Sequence, residues 1–174
     1  MTKFKFIFLI IIIGFVSGFA GLFFSKSLPL SLNNPQTEIF FKSNSKDIND
    51  NNVSLSQYKN RWLLVNFWAT WCAPCREEIP ELNELANTNK KIQLVGIAID
   101  EIESVKQFLN KTPIHYDSLI SNDINGVEIS KSLGNEKGVL PFTVLITPNG
   151  EIQEVFYGKL DVDSLNMYLV KIIK

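Results

Sequence analysis

Two cysteines, Cys72 and Cys75, stand two residues apart in the stretch "NFWATWCAPCREEIP", and the chain contains no other cysteine. Such a pair could be a catalytic dithiol, half of a metal site or a short disulfide staple. A structural zinc needs four ligands, and the only histidine is His115. Covalent haem attachment requires a histidine directly after the second cysteine, where this chain has Arg76. A disulfide across so small a loop removes little chain entropy. The pattern therefore favours redox chemistry without a bound metal or cofactor.

The position of the pair along the chain supports the same chemistry. The apolar run "RWLLVNFWA" before it predicts a strand buried on both faces, and the segment after it predicts a helix over residues 73–87. Cys72 then lies at the helix N-terminus, where the macrodipole and the unpaired amides favour a thiolate, the form that attacks a disulfide. Cys75, one turn further along, suits the resolving role of displacing the product from a mixed disulfide. Pro74 fits the first helical turn, because its missing N–H would have no partner there.

The elements around this helix predict an α/β fold. A second buried strand is expected at "KIQLVGIAI" and a second helix at "ESVKQFLNK", and this alternation favours parallel strands joined by crossover units. The outer side of the first helix is predicted to carry four glutamates, Glu77, Glu78, Glu81 and Glu84.

Further elements are expected on both sides of this unit. "EIFFKSN" is typical of a strand and the Asn- and Asp-rich residues after it of a loop, which together predict an N-terminal β-hairpin. A central insertion with a short helix over residues 127–133 precedes "PFTVLITPNGEIQEVFYG", which predicts an antiparallel strand pair turning at Asn149-Gly150. The last residues predict an amphipathic helix with Asp161 as its N-cap.

The N-terminal segment is predicted to cross a membrane. Residues 6–24 are 19 apolar or small residues preceded by Lys3 and Lys5. A helix of that length spans roughly 28 Å, and the lysines favour a cytoplasmic N-terminus. We therefore expect a transmembrane signal-anchor at 1–25, a stalk at 26–37 and a folded domain at 38–174. A cleaved secretory signal is the alternative, because small residues follow at Gly18-Phe19-Ala20.

The charge distribution argues against nucleic acid as a partner. The formal net charge is −1, and the lysines and arginines form no basic stripe that would neutralise a row of phosphates.

The stretches "VNFWATWCAPCREEIPELNEL" and "LPFTVLITPNGEI" resemble the thioredoxin superfamily, and specifically the membrane-anchored TlpA/ResA-like thiol:disulfide reductases. The resemblance covers roughly residues 38–174 and implies a thioredoxin-like fold with a central mixed β-sheet. It implies that Pro141 is a cis-proline facing the cysteines. Substrate would then contact Trp71, Ala73, Pro74, Leu140 and Pro141.

The resemblance also raises the question of which group accepts the proton of Cys75. Thioredoxin has a buried aspartate at the position of Asn66, and asparagine cannot take that proton. In some TlpA/ResA-like proteins a glutamate at the end of the next strand serves instead, and Glu101 matches that position. That Glu101 and Asp100 are solvated loop acids is the other interpretation.

The resemblance implies a function outside the cytoplasm. The domain would face the periplasm or extracytoplasmic space from the inner membrane, with one membrane pass. It would reduce disulfides of exported proteins, in cytochrome c maturation or in the assembly of copper-containing oxidases. A membrane electron donor of the DsbD/CcdA type would return it to the reduced state. A Sco-like copper metallochaperone is disfavoured because such proteins have three residues between their cysteines. A thiol peroxidase is disfavoured because Ala69 stands where a threonine or serine is required.

Overall fold

A mixed β-sheet organises the computed structural model, which describes residues 35–173. Within them seven strands pair in the order β2-β1-β5-β4-β3-β6-β7. The strands are β1 (Asn44–Lys46), β2 (Asn52–Ser54), β3 (Trp62–Trp68), β4 (Ile92–Ile99), β5 (Asp117–Ser121), β6 (Phe142–Ile146) and β7 (Ile152–Tyr157). The helices are α1 (Pro35–Lys42), α2 (Ala73–Thr88), α3 (Ile102–Leu109), α4 (Asp123–Ser132) and α5 (Val162–Ile172), with a 3₁₀ turn at Leu55–Tyr58.

The predicted membrane segment and most of the predicted stalk lie outside the described residues. No helix within residues 35–173 has the length and apolar character needed to cross a bilayer. Helix α1 includes the last three residues of the predicted stalk.

The pairing of the central strands confirms the predicted mixed sheet. Strands β3 and β4 pair in parallel through the crossover helix α2, and β4 and β5 pair in parallel through α3. Strand β6 runs antiparallel to both β3 and β7. The turn between β6 and β7 contains Gly150 at a φ of 81°, a conformation that glycine adopts without strain. Because β3 and β4 are parallel, their carboxyl ends lie side by side at the same end of the sheet, where α2 and α3 begin.

The two faces of the sheet bury different sets of side chains. We call the face that packs on α1 and α4 the α1 face. At β3 and β4 this face is apolar, with Val65, Phe67, Val95 and Ile97 in one cluster with residues of both helices. The opposite face, which we call the α2 face, packs on α2 and α5. Its apolar residues form two clusters, one centred on Leu64 and the other containing both cysteines.

The prediction of a strand at "EIFFKSN" is wrong, because these residues lie mostly in α1. Pro35 occupies the first helical position, which its fixed φ favours. Glu38 and Lys42 form an ion pair one helical turn apart, and both phenylalanines of the segment are buried against the core. Helical spacing thus buries two adjacent aromatic residues that strand alternation would place on opposite faces.

An N-terminal hairpin does exist, but its first strand, β1, is formed by residues that the sequence predicts as loop, and β2 begins at the end of that loop. Strands β1 and β2 pair antiparallel. Between them the Asp47 carboxylate accepts hydrogen bonds from the backbone N–H groups of Asn49 (2.8 Å) and Asn51 (2.9 Å). This side chain closes the turn, which is the local role that Asp-rich loops favour.

The predicted second helix is α3, and the predicted central insertion after it contains β5 and α4. Helix α4 begins four residues earlier than the predicted 127–133, because the Asn122 side chain caps it by accepting from the Asn125 N–H at 3.1 Å. The C-terminal helix begins as predicted, with Asp161 accepting from the Ser164 N–H at 3.1 Å.

Candidate active site

The two cysteines form a disulfide at the point where β3 leads into α2. Cys72 is the N-cap residue of α2, and its Sγ accepts from the Cys75 backbone N–H at 3.3 Å. The exposed fraction is 5% for Cys72 and 0% for Cys75. The structure thus confirms the predicted position of Cys72 at the helix N-terminus, and Cys72 is the more accessible of the two sulfur-bearing residues.

Two side chains fix the loop before Cys72. Asp100, at the end of β4, accepts hydrogen bonds through Oδ2 from the Thr70 N–H (2.9 Å) and the Thr70 hydroxyl (2.6 Å). Arg76 donates from Nη1 to the Thr70 carbonyl oxygen at 2.8 Å. Asp100 is buried, so this loop is held to the carboxyl end of β4 by a carboxylate that is largely shielded from water.

The residues predicted to contact substrate lie around the disulfide. The Trp71 side chain is 68% exposed, and Ala73 and Pro74 are also exposed. Leu140 packs against the apolar cluster that contains both cysteines, and the Leu140–Pro141 peptide bond is cis, as predicted. The accessible surface next to Cys72 is therefore largely apolar.

Glu101 lies exposed at the N-cap position of α3, and its side chain makes no capping hydrogen bond there. Its backbone N–H donates to Asp100 Oδ1 at 2.8 Å. The role of Glu101 as proton acceptor stays a prediction.

A different glutamate lies inside the molecule. Glu78 was expected on the outer side of α2, but it is fully buried. Its Oε1 accepts from Asn66 Nδ2 at 2.7 Å, and its Oε2 accepts from the Leu160 backbone N–H at 3.0 Å. Burial raises the pKa of Glu78 above its ordinary value, although the two hydrogen bonds and the charge of Lys159 act in the opposite direction.

The spacing along α2 explains why Glu78 is buried. Cys75 and Glu78 are three residues apart, and Ile79 and Leu82 continue the same helical face. All four are buried. The helical spacing thus indicates that position 78 is buried, whereas the acidic residue type indicates an outer position.

Asn66 joins this carboxyl group to the sheet. It is fully buried on β3, and its Nδ2 donates to both Glu78 Oε1 and Thr143 Oγ1, the latter at 3.0 Å. Asn66 thus acts as a hydrogen-bond donor to a carboxylate, at the position where thioredoxin has its own acid.

No cluster of three or more His, Cys, Asp or Glu residues able to hold a metal occurs within residues 35–173. His115 is exposed, and its backbone N–H donates to Asn83 Oδ1 at 2.7 Å.

Comparison with known proteins identifies relatives of this fold and site. Residues 37–155 match the model of the AhpC/TSA family. The "Thiol-disulfide oxidoreductase ResA" of Oceanobacillus iheyensis is 34% identical over 74% of this chain and 66% of its own length. The protein of the same name from Bacillus cereus is 28% identical over 99% of both chains. The crystal structure of a thioredoxin-related protein from Neisseria meningitidis serogroup B superposes with a TM-score of 0.65, at 33% identity, and covers 72% of this chain and 96% of that one.

Proposed function

This chain belongs to the AhpC/TSA family as a ResA-type thiol-disulfide oxidoreductase of thioredoxin-like fold, and from that premise we propose that it reduces disulfides of exported proteins outside the cytoplasm. The observation that carries this proposal is the cysteine pair at the N-terminus of α2, with Cys72 accessible beside an exposed Trp71 and Cys75 buried behind it.

The geometry supports a two-step reaction. In the reduced protein the Cys72 thiolate attacks one sulfur of a substrate disulfide, which forms a mixed disulfide and releases the other substrate sulfur as a thiolate. Cys75 then loses its proton and attacks Cys72 Sγ. This releases the second substrate thiolate and leaves the Cys72–Cys75 disulfide seen in the structure. Two electrons thus pass from the dithiol to the substrate.

Glu78 is the group best placed to accept the Cys75 proton. It lies one helical turn from Cys75 on the same buried face, and burial raises the pKa of its carboxyl group. A base whose pKa is raised toward neutrality matches a thiol better than an ordinary carboxylate does. Exposed Glu101 remains the second candidate.

The proposed location and substrates rest on the sequence. The apolar segment at residues 6–24 would anchor the domain on the outer side of the cytoplasmic membrane. Disulfides form spontaneously in such compartments, so proteins that need free thiols there require a reductant. Cysteines of apocytochrome c and of copper-oxidase assembly proteins are two such substrates. A membrane dithiol donor of the DsbD/CcdA type would supply the two electrons.

A redox titration of the full chain in detergent against glutathione or dithiothreitol tests the direction of the reaction. Dithiol potentials in this superfamily extend over roughly 150 mV, and we expect a value near the reducing, thioredoxin end. A potential at the oxidising end would overturn the reductase proposal. Cys75→Ser is expected to trap mixed disulfides through Cys72, and identification of the trapped proteins would name the substrates.

A further inference from the structure

A row of small and polar residues crosses the α2 face of the sheet. Asn66 of β3 is in register with Thr143 of β6 on one side and with Gly96 of β4 on the other. Gly96 is in turn in register with Ser118 of β5. Residues in register on adjacent strands present their side chains to the same face. The row therefore lies on the face that also holds Glu78.

Gly96 allows two side chains to pack closely against the middle of this row. A Cβ atom at Gly96 would lie 3.0 Å from Tyr116 Cε2 and 3.3 Å from Trp68 Nε1. The phenol ring and the indole nitrogen therefore both lie over the glycine. Asn66 is the partner of Gly96 on β3, so both side chains pack against the strand position next to Asn66.

Four buried polar atoms of this region have no hydrogen-bond partner among residues 35–173. They are Trp68 Nε1, the Tyr116 hydroxyl, Asn66 Oδ1 and Ser118 Oγ. The indole N–H can only donate, the amide oxygen can only accept, and the two hydroxyls can do both. Buried polar groups in folded proteins are rarely left unpaired, and a site with two donors and one acceptor is complementary to a water molecule, which needs two to four polar partners.

Glu78 supplies a further acceptor beside these atoms. One of its oxygens already shares the Asn66 amide, and carboxylate oxygens accept more than one hydrogen bond. Glu78 and Tyr116 are close enough that the Glu78 charge adds to burial in raising the pKa of the Tyr116 phenol. The phenol therefore stays protonated at neutral pH, as a hydrogen-bond donor.

We propose that Trp68, Tyr116 and Asn66 bind one buried water molecule beside Gly96, and that Tyr116 acts through this water as a positioning residue for the Glu78 carboxylate. The phenol donates to the water and the water donates to Glu78, which stabilises the ionised carboxylate before it accepts the Cys75 proton. This inference rests on the proposed function only for its role in the resolving step. The water site itself does not depend on any activity.

Several charged or polar groups face Glu78 from the packed elements. Glu81 on its own helix raises the pKa of Glu78, and Lys159 before α5 lowers it. The Leu160 N–H and the Asn66 amide donate directly to the carboxylate. A change at Tyr116 leaves all four of these groups in place, so its effect on the titration can be measured separately.

The variant Tyr116→Phe removes only the hydroxyl oxygen, and the Glu78 carboxyl can be followed by ¹³C NMR in the oxidised full chain in detergent. We expect the titration midpoint of Glu78 to rise by about 0.5 to 1 pH unit, because the carboxylate loses a donor in its network. The matched control is Tyr58→Phe. Tyr58 is buried on the α1 face and its hydroxyl donates to Asp117 at 3.1 Å, so this variant should leave the midpoint unchanged.

An unchanged Glu78 midpoint in folded Tyr116→Phe would overturn the positioning role, whatever the wild-type reductase activity is. If that variant does not fold, a high-resolution crystal structure of the wild type decides. An ordered water within hydrogen-bond distance of Trp68 Nε1 and the Tyr116 hydroxyl supports the inference. A Tyr116 hydroxyl bonded directly to protein, with no water between, overturns it. If the wild-type protein does not reduce disulfides, the proposed function is rejected, but the proposed water site is not.

Discussion

On strand β3, Val65 and Phe67 face α1 and α4, whereas Asn66 faces α2. All three side chains are fully buried. On the α1 face, Val65 and Phe67 pack against other apolar side chains. On the α2 face, the Asn66 amide donates a hydrogen bond to the buried Glu78 carboxylate. One strand thus separates a surface that stabilises the fold from a surface that carries the chemistry. On β3, therefore, side chains are buried on both faces, and the polarity of the buried side chains distinguishes the two.

The largest effect is expected from Cys72→Ser on the α2 face. A hydroxyl cannot replace the thiolate nucleophile, so disulfide reduction should fall to background in a dithiothreitol-coupled insulin assay. Thermal unfolding measured without reductant should also shift, because the disulfide is lost, and the matched variant Cys75→Ser separates the two effects. That variant should retain the first attack and accumulate mixed disulfides. Adduct formation by Cys72→Ser and not by Cys75→Ser would show that the two roles are reversed.

The second prediction concerns the α1 face. Phe67→Ala removes a fully buried ring that packs on Phe142, with a centroid separation of 5.9 Å. The free energy of unfolding should fall by about 3–5 kcal/mol, as measured by urea denaturation. The redox potential of the folded variant should equal that of the wild type. A changed potential would contradict the separation of the two faces.

Glu78→Gln keeps the size of the buried side chain but removes its ability to accept a proton. The resolving step should slow by about 10²- to 10⁴-fold, as measured by stopped-flow decay of a Cys72 mixed disulfide. Glu84→Gln, on the exposed side of the same helix, is the matched control and should be close to wild type. If instead Glu101→Gln slows this step and Glu78→Gln does not, the exposed glutamate is the proton acceptor.

The same residue should make stability depend on pH. Because burial raises the pKa of Glu78, the folded protein holds this proton to a higher pH than the unfolded chain does. Its contribution to stability is therefore full below the unfolded pKa and is lost as pH rises through the folded pKa. Urea unfolding of wild type and Glu78→Gln across that range should show the decline in the wild type alone. An identical decline in both proteins would assign it to other groups.

The smallest effects are expected from a pair of adjacent residues on β6. Thr143→Val removes one acceptor of the Asn66 amide on the α2 face and should cost about 1 kcal/mol of stability, since Glu78 still accepts from that amide. Val144→Thr places a hydroxyl in the apolar cluster of the α1 face and should cost about 1–3 kcal/mol. Both values can be read from urea denaturation. Equal costs would mean that the faces do not differ in their tolerance of polar atoms.

Much of the fold could be predicted from the sequence, because apolar runs and helical spacing mark β3, α2, β4 and the final helix directly. The turn dipeptide Asn149-Gly150 likewise predicts the antiparallel pair β6 and β7. The N-terminal helix could not be predicted in this way. Its two adjacent phenylalanines favour a strand by residue type, and only their burial against the rest of the core shows that helical geometry is required.

The candidate site could be predicted less completely. The position of the cysteine pair follows from local sequence, because it depends on the strand and helix next to it along the chain. The cis conformation at Pro141 is what the resemblance to TlpA/ResA-like proteins implies. Glu78 and Asn66 are twelve residues apart, and Thr143 and Leu160 come from later elements. A glutamate on an amphipathic helix is normally solvated. The buried network therefore becomes visible only when the sheet brings these residues together.

The strand order also affects how the protein behaves at high concentration. One edge of the sheet is the three-residue strand β2, and the other is β7, whose Gln153 and Glu154 are exposed. Short strands and charged side chains at an edge discourage another chain from adding its own strand. Both edges of the sheet therefore disfavour edge-to-edge aggregation. The disulfide follows the carboxyl end of β3, an interior strand, and lies away from both edge strands.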